Sequence, residues 1–179
     1  MKKLILLLVI TLLVISFIIG GILNLIFNFR NNNPTITSEQ EYYLPEITLN
    51  TLEEEKIKFN EITQPTILLF WLPQSKSCQQ QLEVLTTINN KYSEQIKILA
   101  VGIGALSSTE LKEVAEQREL DFQIVIDSQA ELTEKLKVTT IPTLLLYHPQ
   151  QESQKLVGFK NESELEEKLK QYFSKLTPS

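Results

Sequence analysis

The sequence predicts an α/β domain, a mixed central sheet with helices on both faces, preceded by one N-terminal transmembrane helix. Three observations carry that expectation. Leu4 to Phe29 is a run of 26 residues without a charge. Short apolar runs then alternate with helical periodicities from Thr66 to Leu136. Two strand-like segments in close succession and one amphipathic helix finish the chain.

The first element is "LILLLVITLLVISFIIGGILNLIFNF" (4–29). About 20 apolar residues span a bilayer, so this run suffices with some tilt. A cleaved signal peptide would have a shorter apolar region ending in small residues, and Gly20-Gly21 is a weak cleavage candidate, so the uncleaved anchor is favoured. Lys2 and Lys3 on one side against Arg30 on the other place residues 1–3 in the cytoplasm. The remainder is then extracytoplasmic, on a single-pass cell-membrane anchor. "RNNNPTITSEQEYY" (30–43) is polar and aperiodic, a flexible tether to a domain expected over 44–176.

Within that domain, "TILLFWL" (66–72) has the length and composition of a buried strand. Leu82, Leu85, Ile88 and Tyr92 then share one face of a helix over 78–92. "IKILAVGI" (96–103) is a second buried strand, and Ser107 with Glu110 reads as a capping box for a helix to about Glu119. "FQIVI" (122–126) is a third strand, with Ser128 and Glu131 capping a short helix that contains Leu132 and Leu136. "TLLLY" (143–147) and "KLVGF" (155–159), joined by "HPQQES", form an antiparallel hairpin. Asn161 and Glu164 open a final helix with Leu165, Leu169 and Phe173 on one face.

Composition narrows the function. All 22 acidic residues follow Arg30, and 14 of the 17 basic ones do, so residues 31–179 carry 14 − 22 = −8. An acidic domain whose one arginine is Arg118 cannot hold a phosphate backbone, so no nucleic-acid partner is expected. A single cysteine, Cys78, rules out an internal disulfide and a thiolate metal cluster. A lone His148 beside Pro149 does not make a zinc site, so neither metal nor cofactor is expected. "LEEEKIK" (52–58) reads as a charged turn and strand edge, not an acid–base pair.

The segment that raises a chemical question is "FWLPQSKSC" (70–78), an aromatic strand end, a polar loop and the sole thiol. This order of elements resembles the thioredoxin-like superfamily. The match is strongest with the membrane-anchored TlpA/ResA-like thiol-disulfide oxidoreductases, associated with cytochrome c maturation. The likeness spans about Leu44 to Phe173. It rests on "LPEITLNTLEEEKIKFNEITQPTILLFWLP" as the opening segment, "VTTIPTLLLY" as the cis-proline segment and "LVGFKNESELEEKL" as the closing glycine and helix. The resemblance implies a thioredoxin-like fold with Pro142 as the cis-proline. It also implies a groove for extended peptide flanked by Trp71, Ile141 and Pro142.

The departures bear on chemistry. Where the family carries Cys-x-x-C, this chain reads Ser75-Lys76-Ser77-Cys78. Ser75 falls on the attacking position, Cys78 on the resolving one, and Gln81 where many relatives carry an acid. Thiol-disulfide exchange needs a thiolate attacking a sulfur, which a hydroxyl cannot replace. Ser75 has no neighbouring base for hydrolase chemistry either, and is expected to cap the helix or loop.

Cys78 has three readings: a small buried filler, a thiol forming a mixed disulfide with a partner, or a peroxide-reducing cysteine. The last fits worst, because the peroxiredoxin loop Pro-x-x-x-Thr-x-x-Cys is absent and no arginine adjoins unless Arg118 folds back. Two functions follow. One is a membrane-tethered module binding an extracytoplasmic protein or peptide without dithiol activity. The other is a single-thiol oxidoreductase using Cys78 with an external thiol, in envelope redox homeostasis or cytochrome c maturation.

Overall fold

The computed structural model describes residues 43–104 and 108–173, all within a compact unit spanning Gln40–Ser179. The expected span 4–29, nearly all of the tether, Ser107 and the end of the domain at 174–176 lie outside the described residues. Among the described residues no helix is long and apolar enough to cross a membrane.

Seven strands form one mixed sheet: β1 Thr48–Thr51, β2 Lys56–Lys58, β3 Thr66–Trp71, β4 Lys97–Ile103, β5 Gln123–Asp127, β6 Thr143–His148 and β7 Gln151–Val157. Among the described residues four α-helices accompany them: α1 Lys76–Tyr92, α2 Ser108–Gln117, α3 Glu131–Lys135 and α4 Glu162–Tyr172. The order across the sheet is β2-β1-β5-β4-β3-β6-β7. β3 pairs parallel with β4 and antiparallel with β6, and β4 pairs parallel with β5.

β3 lies between two strands and under two layers, so all six of its residues are buried. Its period-2 alternation divides the core. Ile67, Leu69 and Trp71 join Leu82, Leu85 and Ile88 of α1, Leu111 of α2, and Leu165 and Leu169 of α4 on one face. Leu68 and Phe70 join Leu44, Ile47, Phe59, Leu132 of α3, Leu145 and Tyr147 on the other. Each such side chain contributes about 1.5–3 kcal/mol on burial. α1 and α2 share a face because both crossovers advance the same way across the sheet with the same hand. A Cβ on Gly102 would lie 2.8 Å from Leu111 Cδ2, so the glycine admits α2 close against β4.

Most element ends agree with the sequence, and the exceptions have physical causes. β1 and β2 form a hairpin whose turn puts Glu54 at φ 65. Thr51 Oγ1 accepts from Glu53 N and Glu55 N there, both at 3.2 Å. α1 begins at Lys76, two residues before the expected start. α4 has the expected capping box, Asn161 with Glu164.

The expected Ser128 cap of α3 is overturned. Ala130 stands at the N-cap position with φ 56 and contributes no side-chain bond. The buried Asp127 carboxylate accepts instead from Leu132 N (3.3 Å), Thr133 N (2.9 Å) and Thr133 Oγ1 (2.6 Å). β7 starts four residues before the expected strand, and its turn from β6 is only Pro149-Gln150. It is an edge strand exposed over Glu152 to Lys155, so it carries no alternating apolar signal.

Candidate functional site

In an open α/β sheet, the carboxyl ends of the parallel strands are where ligands are met. A polar-lined cleft containing Gln64, Asn89, Lys97 and Asp121 opens at the opposite end, near the starts of β3 and β4. The thiol stands at the carboxyl end. β3 closes on Trp71, a short loop follows, and Ser75 starts α1.

Ser75 is the N-cap of α1. Its Oγ accepts from Cys78 N at 3.4 Å, while its carbonyl accepts from Gln79 N at 3.0 Å. Ser75 Oγ also lies 3.0 Å from Ser77 Oγ. The hydroxyl thus satisfies one of the amide donors that a helix start leaves open. This is the capping role the sequence predicts, and it commits the oxygen to the backbone rather than to a substrate. Ser75 N donates to Leu72 O at 3.2 Å, closing the loop.

Cys78, the third residue of the helix, is 0% exposed and packs in the same cluster as Trp71, Leu82 and Leu85. A thiol so placed fills the core like a small apolar side chain. The first turn of α1 contains no acidic residue, so nothing there opposes the positive end of the helix dipole.

Arg118 reaches this region from beyond α2, but not to steady a thiolate. Its guanidinium pairs with Glu83 and donates to Gln79 Oε1 at 3.0 Å. Gln79 Nε2 in turn donates to Pro73 O at 2.7 Å. The loop is tied from α2 through α1.

Facing the loop is the segment before β6. The Ile141–Pro142 peptide bond is cis, as the family resemblance implies. Pro142 O accepts from Gly158 N at 2.8 Å, and Thr143 Oγ1 donates to Thr140 O at 2.6 Å. Gly158, at φ 78, turns the chain out of β7.

Gln81 joins the two sides. It is fully buried, and its amide clamps the backbone of Lys160, Oε1 accepting from Lys160 N at 2.7 Å and Nε2 donating to Lys160 O at 3.3 Å. An amide can serve a donor and an acceptor together, whereas a carboxylate serves donors only. Lys91, further along α1, repeats the link with ion pairs to Glu162 and Glu166 of α4. Those carboxylates lift the Lys91 ammonium above its usual range, and the same hydrogen bond holds Glu166 below the usual carboxylate value.

The structure does not bring the three expected groove residues together as one surface. Pro142 is buried and Ile141 half-buried, but Trp71 is 0% exposed, with its Nε1 inside the core and unbonded. Its ring is a floor under the loop, not a wall of a groove. The exposed apolar side chains at this edge are Val157 (55%) and Phe159 (39%), on either side of Gly158. The quoted segment "LVGF" held both, but as strand residues rather than surface. His148 is half-buried at the end of β6, its Nδ1 accepting from Gln150 N at 3.1 Å, far along the strand from Ser75. Among the described residues no three His, Cys, Asp or Glu side chains gather as a metal would require.

Residues 63–153, from before β3 into β7, match the family described as thioredoxin-like. The chain belongs to the thioredoxin-like family. Among its relatives, sporulation thiol-disulfide oxidoreductase A of Bacillus subtilis is 29% identical over 123 residues, 65% of this chain and 73% of that protein. Thiol-disulfide oxidoreductase ResA of Bacillus thuringiensis is 25% identical over 136 residues, covering 75% and 76%. The crystal structure of StoA from Bacillus subtilis superposes with a TM-score of 0.57 at 25% identity, covering 69% of this chain and 98% of that one. A putative thioredoxin from Neisseria meningitidis shares the fold at a TM-score of 0.66 and 17% identity, covering 74% and 90%.

Proposed function

We propose that this thioredoxin-like protein has no dithiol turnover of its own and acts as a binding module for an extracytoplasmic protein or peptide, tethered by residues 4–29. One observation carries the reading. The Ser75 oxygen caps α1, and the chain's one thiol, Cys78, is buried behind it. Dithiol exchange passes two electrons through a pair of sulfurs, and a chain with one cysteine has no such pair. What remains at the carboxyl end of the sheet is backbone and apolar surface beside a cis-proline, the material of peptide recognition.

The test is insulin-disulfide reduction by the purified full-length protein. Background rates are expected, and turnover comparable to a dithiol thioredoxin overturns the reading. Ser75→Cys is expected to give a protein whose two thiols disappear on mild oxidation through a 75–78 disulfide. Two persistent free thiols would show that Ser75 does not occupy the attacking position. Alkaline carbonate extraction tests the tether, with release of the protein from membranes as the contrary result.

The second function keeps one favourable observation, the acid-free first turn of α1 around Cys78. In it, the Cys78 thiolate attacks a partner disulfide, forms a mixed disulfide and expels the partner's other sulfur as a thiolate. An external thiol then attacks the mixed disulfide, releases Cys78, and becomes disulfide-bonded to the partner. Covalent capture of a Cys78-linked protein from membranes supports this over simple binding.

A further inference from the structure

We propose that the edge around Pro142 selects acidic partners, namely extended protein segments in which an apolar residue is flanked by Asp or Glu. The inference rests on the binding reading above and adds the chemistry of the ligand. Its basis is a local reversal of charge. Residues 31–179 carry 14 − 22 = −8, yet Lys155 stands two residues before Val157 and Lys160 directly after Phe159.

Lys160 curls over its own turn, its Nζ donating to Val157 O at 2.7 Å and Phe159 O at 3.3 Å. Lys155 lies two residues before Val157 and donates to Lys137 O at 3.4 Å, which brings those two together. Lys137 heads the segment leading to Ile141, and Lys76 opens α1 beside Ser75. Lys76, Lys137 and Lys155 are exposed, Lys160 half-buried.

None of the four forms an ion pair among the described residues. Ion pairs among the described residues engage Lys58, Lys91, Lys112, Arg118 and Lys170. The carboxylates that would oppose the four are drawn elsewhere. Glu162 pairs with Lys91, Glu83 with Arg118, and Glu164 closes the capping box. Glu134 and Glu152 remain exposed within three residues of the set, each further from Pro142 along its element. The positive end of the 17-residue α1 adds to the same field. Two exposed apolar side chains with Lys155 and Lys160 beside them, Lys137 joined to Lys155 and Lys76 at the start of α1, complement an apolar anchor with acidic flanks, and such complementarity governs specificity and encounter rate.

The test uses the full-length protein in detergent and fluorescein-labelled extended peptides with a Leu-Val centre. One carries Glu and Asp flanks, a twin carries Lys, and a third carries Gln. Anisotropy is expected to show the acidic peptide binding about tenfold or more tighter than the Gln twin at low salt. That advantage should collapse as salt rises to roughly 0.5 M. The combined Lys76→Glu, Lys137→Glu, Lys155→Glu variant should reverse the preference, and Val157→Ser with Phe159→Ser should weaken all three peptides alike. Equal binding of the three peptides, or preference for the Lys twin, overturns the acidic selection while leaving the module intact. Charge-dependent binding that ignores Val157→Ser and Phe159→Ser overturns the location. Absence of binding by any peptide overturns both this inference and the binding function.

Discussion

The site has two sides, and they differ in what each requires of its residues. On the helix side the contacts run through side chains, Ser75 Oγ capping α1 and Cys78 packed beneath it in the core. On the cis-proline side the interactions run through backbone: Gly158 N to Pro142 O, and Lys160 held at both its N–H and C=O by Gln81. Replacing a side chain alters the first kind of contact in one step, whereas the second depends on the chain path. A serine hydroxyl is a good N-cap, so Ser75 supports the start of α1.

The sharpest way to break this comparison is to ask whether Cys78 is reachable. Native-state alkylation should run about 1000-fold slower than for a free small-molecule thiol, the factor matching a local opening of about 4 kcal/mol. It should approach the small-molecule rate in denaturant. Fast native labelling would move Cys78 from the packed side of the comparison to the reactive one.

Next in size is the clamp between the two sides. Gln81→Leu removes both partners of the half-buried Lys160 N–H and C=O, with an expected loss of about 1–3 kcal/mol in chemical denaturation. Gln81→Glu sharpens the point through pH. Burial favours the neutral acid, so its pKa in the fold lies above the unfolded value. The stability contribution is then complete below the unfolded value and disappears as pH rises through the folded one. Stability that is flat with pH in this variant would deny the donation from Nε2 to Lys160 O.

Asn161→Ala removes the side-chain acceptor of the α4 capping box and should cost about 1 kcal/mol by the same measurement. Ser75→Ala should cost less, about 0.5 kcal/mol, because the bond to Cys78 N is long at 3.4 Å. A larger effect at 75 than at 161 would mean that Ser75 does more than cap. The smallest expected effect is electrostatic. Lys91 depresses the Glu166 carboxyl from its usual value of 4.5, so the pair's contribution is present above that value and fades as pH falls through the depressed one. Both groups are partly exposed and the effect is screened. Lys91→Met should flatten a shallow acid limb of the stability curve.

What the sequence disclosed were the features set by local rules. β3 is legible because six consecutive apolar residues, Ile67 to Leu72, follow Pro65-Thr66, and α1 because Leu82, Leu85, Ile88 and Tyr92 recur at helical spacing. Asn161 and Glu164 announce α4 because a capping box involves only four consecutive residues. Asp127 is not legible as a cap because its carboxylate acts from the end of a buried strand, and the Ser-x-x-Glu pattern that starts at the next residue, Ser128, gives a false signal. The first half of β7 is not legible because an exposed edge needs no alternation. The burial of Trp71 is not legible because a wholly buried strand gives no indication of which ends are covered, and only the tertiary packing puts its ring in the core. Val157 and Phe159 are exposed through the turn at Gly158, which composition marks as a turn but does not orient.

The ties from Arg118 to Gln79, and from Gln79 to Pro73, brace the loop without any covalent bond across it. A dithiol relative alters its own active-site bonding whenever it gains or loses electrons. This loop has no bond to make or break within the chain, so its shape is set by noncovalent struts that ambient potential does not reach. Placed in an oxidising compartment or a reducing one, it presents one and the same contour to whatever approaches.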